Sequence, residues 1–172
     1  MRIILATLWL LVPLGFAAYH YGPGQEQVKL DHTEEFLAQA RSAVQNKNWA
    51  SAVESYQKAL AKLPKENKET SLRIQLEIAK AKMQNSGLPE AREELTNLVS
   101  QLNEDPTISS ELKEETLSTL ANARYYMTYL MKLEGLPAEE WEPEIEAARQ
   151  EYKLLAQTGS DKDCLLYTSP SP

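Results

Sequence analysis

Residues 48–65 (NWASAVESYQKALAKLPK) constrain the fold of this chain more than any other stretch. Trp49, Ala52, Tyr56 and Ala59 recur at helical spacing within it. Side chains three, four and seven residues apart share one helix face, so these four form a single stripe. The alanines let a neighbouring helix approach closely, and the rings fill the space on either side. Pro64 then ends the helix, because it lacks an N–H and clashes with the preceding turn. Such a stripe must be buried against other helices. The β-branched residues never alternate with polar ones over a useful length, so no strand is expected.

Upstream, residues 33–46 supply a partner helix with Phe36, Ala40, Ala43 and Val44 on its inner side. Trp49, Ala52, Tyr56, Ala59 and Pro64 stand where a tetratricopeptide repeat places an aromatic, a small residue, an aromatic, a small residue and a proline. Residues 33–66 thus resemble one repeat of that family, about 34 residues long. A second helical pair is expected over 71–105. Leu72, Ile74, Leu76, Ile78, Ala79 and Met83 lie on its first helix, and Ala91, Leu95 and Leu98 repeat the stripe on its second. Pro89 suits the first turn of that second helix, where its missing N–H costs nothing.

The third pair begins with a helix over 110–132, with Leu117, Leu120, Ala123, Met127, Leu130 and Met131 on one side. Gly135-Leu-Pro137 echoes Gly87-Leu-Pro89, the clearest internal repeat. Residues 138–142 form an added piece before Pro143 and a last helix carrying Ala148, Tyr152 and Leu155. The resemblance is close over 33–66, looser over 71–105 and divergent over 110–157. It implies an all-α fold over residues 31–158: a short right-handed solenoid of about three antiparallel helical pairs. Asp31 and Glu34 have capping-box spacing at its start. Residues 22–30, with Gly-Pro-Gly, read as a tether.

Both ends have readings of their own. Residues 3–18 carry no charge and follow Arg2. They suit an uncleaved apolar anchor helix, with Tyr19 and Tyr21 at the membrane interface, or a secretory signal peptide cut near Gly15-Phe16-Ala17. Either reading places the chain from about residue 22 outside the cytoplasm, membrane-anchored in the first case and secreted in the second. Residues 164–172 (CLLYTSPSP) match one translated frame of the transposon-end adapter used for sequencing libraries, in frame with Asp163. They read as adapter read-through, with 159–163 as the end of the native sequence. Cys164, the single cysteine, falls in that stretch.

Asp and Glu number 25 against 18 Lys and Arg, a formal charge of −7. The basic residues are scattered among glutamates, which makes nucleic acid a poor partner. Catalysis has little support. His20 and His32 are the only histidines, and no nucleophile elbow, glycine-rich loop or metal-ligand spacing is present. No enzyme activity, cofactor or metal is expected. Glu139, Glu140, Glu142, Glu144 and Glu146 read as charge at a helix N-terminus, with Glu144 and Glu146 explained by the helix dipole.

The sharper expectation is a protein or peptide partner held on the helical surface. In the family the first helix of each pair lines the concave side. The resemblance thereby assigns Leu37, Arg41, Val44 and Gln45 to a groove, with Arg73, Lys80, Met83 and Gln84 as their counterparts. Arg41, Arg73 and Lys80 could together hold a peptide carboxylate. Tyr125 and Tyr129, one turn apart, either pack against the adjacent helix or line the groove, where a ring with a hydrogen-bonding tip is useful. The expected function is a non-enzymatic interaction or scaffold module of a bacterial cell envelope. The alternatives are a self-associating structural protein, through an exposed last helix, and an accessory or sensor module of a larger enzyme.

Overall fold

The computed structural model describes residues 23–158, together with Trp9 and Val12. The readings of residues 1–21 as an anchor or signal peptide, and of 159–172, lie outside the described residues apart from those two. Among the described residues the fold is all-α, with six helices and no strand. The helices are α1 (Pro23–Gln45), α2 (Trp49–Lys62), α3 (Lys68–Gln84), α4 (Leu88–Glu104), α5 (Ser110–Leu133) and α6 (Ala138–Thr158). Each packs on the next, and α3 also touches α5.

Two helix starts differ from expectation. α1 begins at Pro23, so most of the expected tether is helical and Asp31 lies inside the helix rather than capping it. Proline is favoured at a first helical position, and residues 25–30 are mainly good helix formers. Likewise α6 begins at Ala138 and runs through Pro143, so the expected added piece is its opening. Pro143 lies past the first turn, so it forfeits one intrahelical bond and crowds the carbonyl of Glu139.

The stripe of α2 is buried as a unit: Ala52, Tyr56 and Ala59 all belong to the core, while Trp49 is half-buried. Asn48 caps this helix by accepting the Ser51 N–H at 3.2 Å. Leu63 is extended before Pro64, as the residue preceding a proline prefers.

The centre of the fold is α3, which is buried on two sides. Ile74, Ile78 and Ala81 join Leu37, Ala40 and Ala43 of α1 and Ala52, Tyr56 and Ala59 of α2 in one cluster. Leu72, Leu76 and Ala79 join Ala91, Leu95 and Leu98 of α4 and Leu112, Leu120 and Ala123 of α5 in another. Each α3 set has the i, i+4, i+7 spacing of a helix face.

One turn recurs three times, where α1, α3 and α5 pass to the next helix. Asn48 N–H reaches Ala43 O and Lys47 N–H reaches Val44 O, with Lys47 at φ 55°. Gly87 N–H reaches Lys82 O, with Ser86 at φ 60°. Leu136 N–H reaches Met131 O and Gly135 N–H reaches Lys132 O, with Gly135 at φ 75°. The six-to-one bond beside a left-handed residue is the Schellman closure. This places Ser86, not Gly87, in correspondence with Gly135. The Gly-Leu-Pro echo is therefore out of structural register by one residue, and Gly87 is the residue preceding α4.

The candidate docking face

Short turns make consecutive helices antiparallel neighbours, so α3 and α5 point the same way. Their side chains fix the register. Lys68 pairs with Asp105, the residue that closes α4, and Ser109, just before α5, donates to Glu69 at 2.7 Å. Further along, Arg73 and Lys80 of α3 both reach Glu115 of α5, at 3.7 and 2.5 Å. Arg73, Lys80 and Glu115 of this ladder are each about one-third to under one-half exposed.

The basic groove candidates are largely committed to carboxylates of the chain itself. Arg73 also pairs with Glu69, and Lys80 with Glu77 at 2.9 Å. Glu115 and Glu77 hold the Lys80 ammonium above its usual pKa, outweighing the opposing effect of burial. Arg41 is exposed and has no ion pair among the described residues. Arg41, Glu77 and Lys80 all act on the Tyr56 hydroxyl, whose pKa is raised first by burial and next by Glu77. Of the remaining candidates, Gln45 and Gln84 are exposed, and Val44 and Met83 are half-buried against the two core clusters. Leu37 is buried at 7% exposure and unreachable for a ligand.

The tyrosines behave differently. Tyr125, Tyr126 and Tyr129 are 52%, 55% and 56% exposed. Leu130 and Leu133 are exposed beside them, although Leu130 was expected on the core face. The cause is length. α5 has 24 residues and α3 has 17, and their starts are level, so the last two turns of α5 project beyond the end of α3. Residues 127–133 are the stretch by which α5 exceeds α3, and Tyr125 and Tyr126 stand level with the end of α3. Tyr125 and Tyr126 meet edge to face, with centroids 6.0 Å apart.

The flank of this projection is set by α6. Lys132 Nζ lies 3.8 Å from the centre of the Trp141 ring, which holds the first turns of α6 beside the last turn of α5. Farther along, Tyr152 donates to Asn122 at 2.7 Å. Ala148 and Leu155 are buried between the two helices' surroundings, and Tyr152 is half-buried.

Glu144 is not explained by the helix dipole alone. It accepts from Arg124 at 3.0 Å and pairs with Arg92 at 3.4 Å. Arg124 also donates its Nε–H to Glu151 at 2.9 Å. The alternating row Arg92–Glu144–Arg124–Glu151 pins α6 to α4 and α5. Burial pushes the Glu151 carboxyl up to about 7 despite Arg124, and its Oε2 has no hydrogen-bond partner among the described residues. Glu146 instead bonds Gln150 and Arg149. Glu139, Glu140 and Glu142 are exposed.

His32 is exposed and lies 3.8 Å from Glu35. Among the described residues, no group of His, Cys, Asp or Glu could hold a metal, and no helix is long and apolar enough to cross a membrane. In comparisons with known proteins, no family model, curated protein or solved structure matches the chain.

Proposed function

We propose that this protein is a non-enzymatic interaction module that docks a partner protein or peptide on the open face of α1, α3 and α5. The observation that carries this reading is the solvent-facing aromatic end of α5, continuous with the partly exposed ladder of α3 and α5. Contiguous exposed apolar surface on a soluble helical domain marks a contact site. Tyrosine suits such a site because its ring buries area while its hydroxyl keeps a hydrogen bond. In this reading the three helical pairs form a right-handed, tetratricopeptide-like stack. The N-terminal apolar segment holds that stack outside the cytoplasm of a bacterial cell, or directs its secretion. Arg73 and Lys80 stiffen the face through Glu115, and affinity comes from the aromatic end.

A photo-crosslinking amino acid placed at Arg41 or Gln84 of the full chain, in its own cells, tests the reading. In this reading both sites, which are exposed, lie on the open face, whereas Glu93 and Gln101 are exposed on α4. A discrete adduct from the first two positions and none from the α4 positions is expected. Equal labelling from both sets, or none, would overturn it.

A further inference from the structure

The projecting end of α5 has a charge pattern that specifies what it docks. Each of Tyr125, Tyr126, Tyr129, Leu130 and Leu133 has another of the set three or four residues away, which joins them into one strip. The strip is about 12 Å long, from the helical rise, and matches roughly two turns of a partner helix. Beside it stand four exposed carboxylates. Glu134 directly follows the strip, and Glu139, Glu140 and Glu142 lie on the opening turns of α6. Those turns are held beside α5 by the Lys132–Trp141 contact. None of the four carboxylates has an ion pair among the described residues, whereas the nearby cation Lys132 is already engaged with Trp141. The result is an apolar strip with a net-acidic rim, four carboxylates against the one Lys132 ammonium.

From this pattern we infer that the α5 end docks a cationic amphipathic segment of a partner protein: an apolar helix face flanked by Lys or Arg. The inference rests on the docking reading above and names the chemistry of the partner. A second copy of this chain is disfavoured, because its own acidic rim would face this one, and like charges across an interface are repulsive. An anionic membrane surface is disfavoured for the same reason. α1 and α5 run parallel, so the strip also lies at the end of the fold opposite to Pro23, where the N-terminal segment enters. Lysine or arginine in the partner would meet Glu134, Glu139, Glu140 and Glu142 around a buried apolar contact. Charge around an apolar centre governs the rate and the choice of partner. The tyrosines supply the anchor.

The test uses the full chain in zwitterionic nanodiscs, with empty discs as the blank. Its probes are two synthetic helices of equal length, one built from Leu and Lys and one from Leu and Glu. The Leu/Lys helix is expected to bind, and raised salt should weaken it. The Tyr126→Ser/Tyr129→Ser variant should bind it about tenfold more weakly. Glu134→Lys/Glu139→Lys/Glu140→Lys should do the same while the fold, read by circular dichroism, is unchanged. Equal binding of the Leu/Glu helix, unaltered binding by both variants, or no binding would each overturn the inference. So would a dimer of the chain that the tyrosine variant dissolves, since the strip would then belong to a second copy. If adducts still form at Arg41 and Gln84 when the cationic helix fails, docking stands and only the partner chemistry falls.

Discussion

Lys80 donates to Glu115 across 2.5 Å, and this contact sets α3 alongside α5. The two residues lie 35 positions apart. Both side chains are about one-third exposed, so the pair works in a partly solvated setting. Lys80→Ala is expected to cost about 1 kcal/mol of stability, near the upper range for exposed pairs. The charge-swapped double variant, Lys80→Glu/Glu115→Lys, should recover part of the loss from either single reversal. Urea unfolding of the four proteins checks this as a double-mutant cycle.

The three recurring turns give a second prediction. Lys47 and Ser86 hold positive φ without being glycine, a conformation that costs L-residues roughly 1–2 kcal/mol. Lys47→Gly and Ser86→Gly should each raise the melting temperature. Gly135→Ala should lower it, through conformation alone, because a Cβ there would meet nothing within 4 Å. Thermal unfolding of the three variants reads the opposite signs directly.

Glu151 makes part of the stability depend on pH. Its carboxyl rises from an ordinary value of 4.5 to about 7 in the fold, chiefly because it is buried. Between those values the folded chain holds more protons than the unfolded chain. Stability therefore falls as pH rises through this window and levels off above it. Asp105 acts in the opposite sense at lower pH, because Lys68 and Thr107 hold its carboxyl well below the usual range. Its contribution is lost as pH falls below about 4. Glu151→Gln keeps an acceptor for Arg124 and should remove the upper step. The difference in melting temperature between wild type and variant, taken from pH 5 to 8, should grow with pH and then flatten.

Leu76 is fully buried on the α3 face that meets α4 and α5. Leu76→Ala should cost roughly 2–5 kcal/mol, the range for a core leucine. Tyr129→Ser, at an exposed position, should stay within about 0.5 kcal/mol of wild type. Chemical denaturation separates the two. A large loss for the tyrosine variant would mean that its ring is part of the core.

These contrasts show which parts of the molecule a sequence can reveal. Ala52, Tyr56 and Ala59 were legible because one helix carries the whole pattern at fixed spacing. α3 was harder, since burial on two sides narrows the polar face that marks an amphipathic helix to the row Glu69, Arg73, Glu77, Lys80 and Gln84. Leu130 was misplaced because periodicity describes a helix and not the length of its neighbour. Its turn has the right phase for a core, but α3 ends too early to cover it. The recurring turns were hidden because Lys47 and Ser86, unlike Gly135, carry no signal for a left-handed backbone. The row of Arg92, Arg124, Glu144 and Glu151 joins three helices, and nothing in its spacing announces it.

If a partner docks as proposed, the aromatic end of α5 is covered in the working state. Hydroxyl-radical footprinting of the full chain tests this most directly, because tyrosine rings are readily oxidised and need no substitution. Tyr125, Tyr126 and Tyr129 should be modified rapidly in the purified chain and protected in the chain's own cells. Equal modification of all three in both settings would contradict the account.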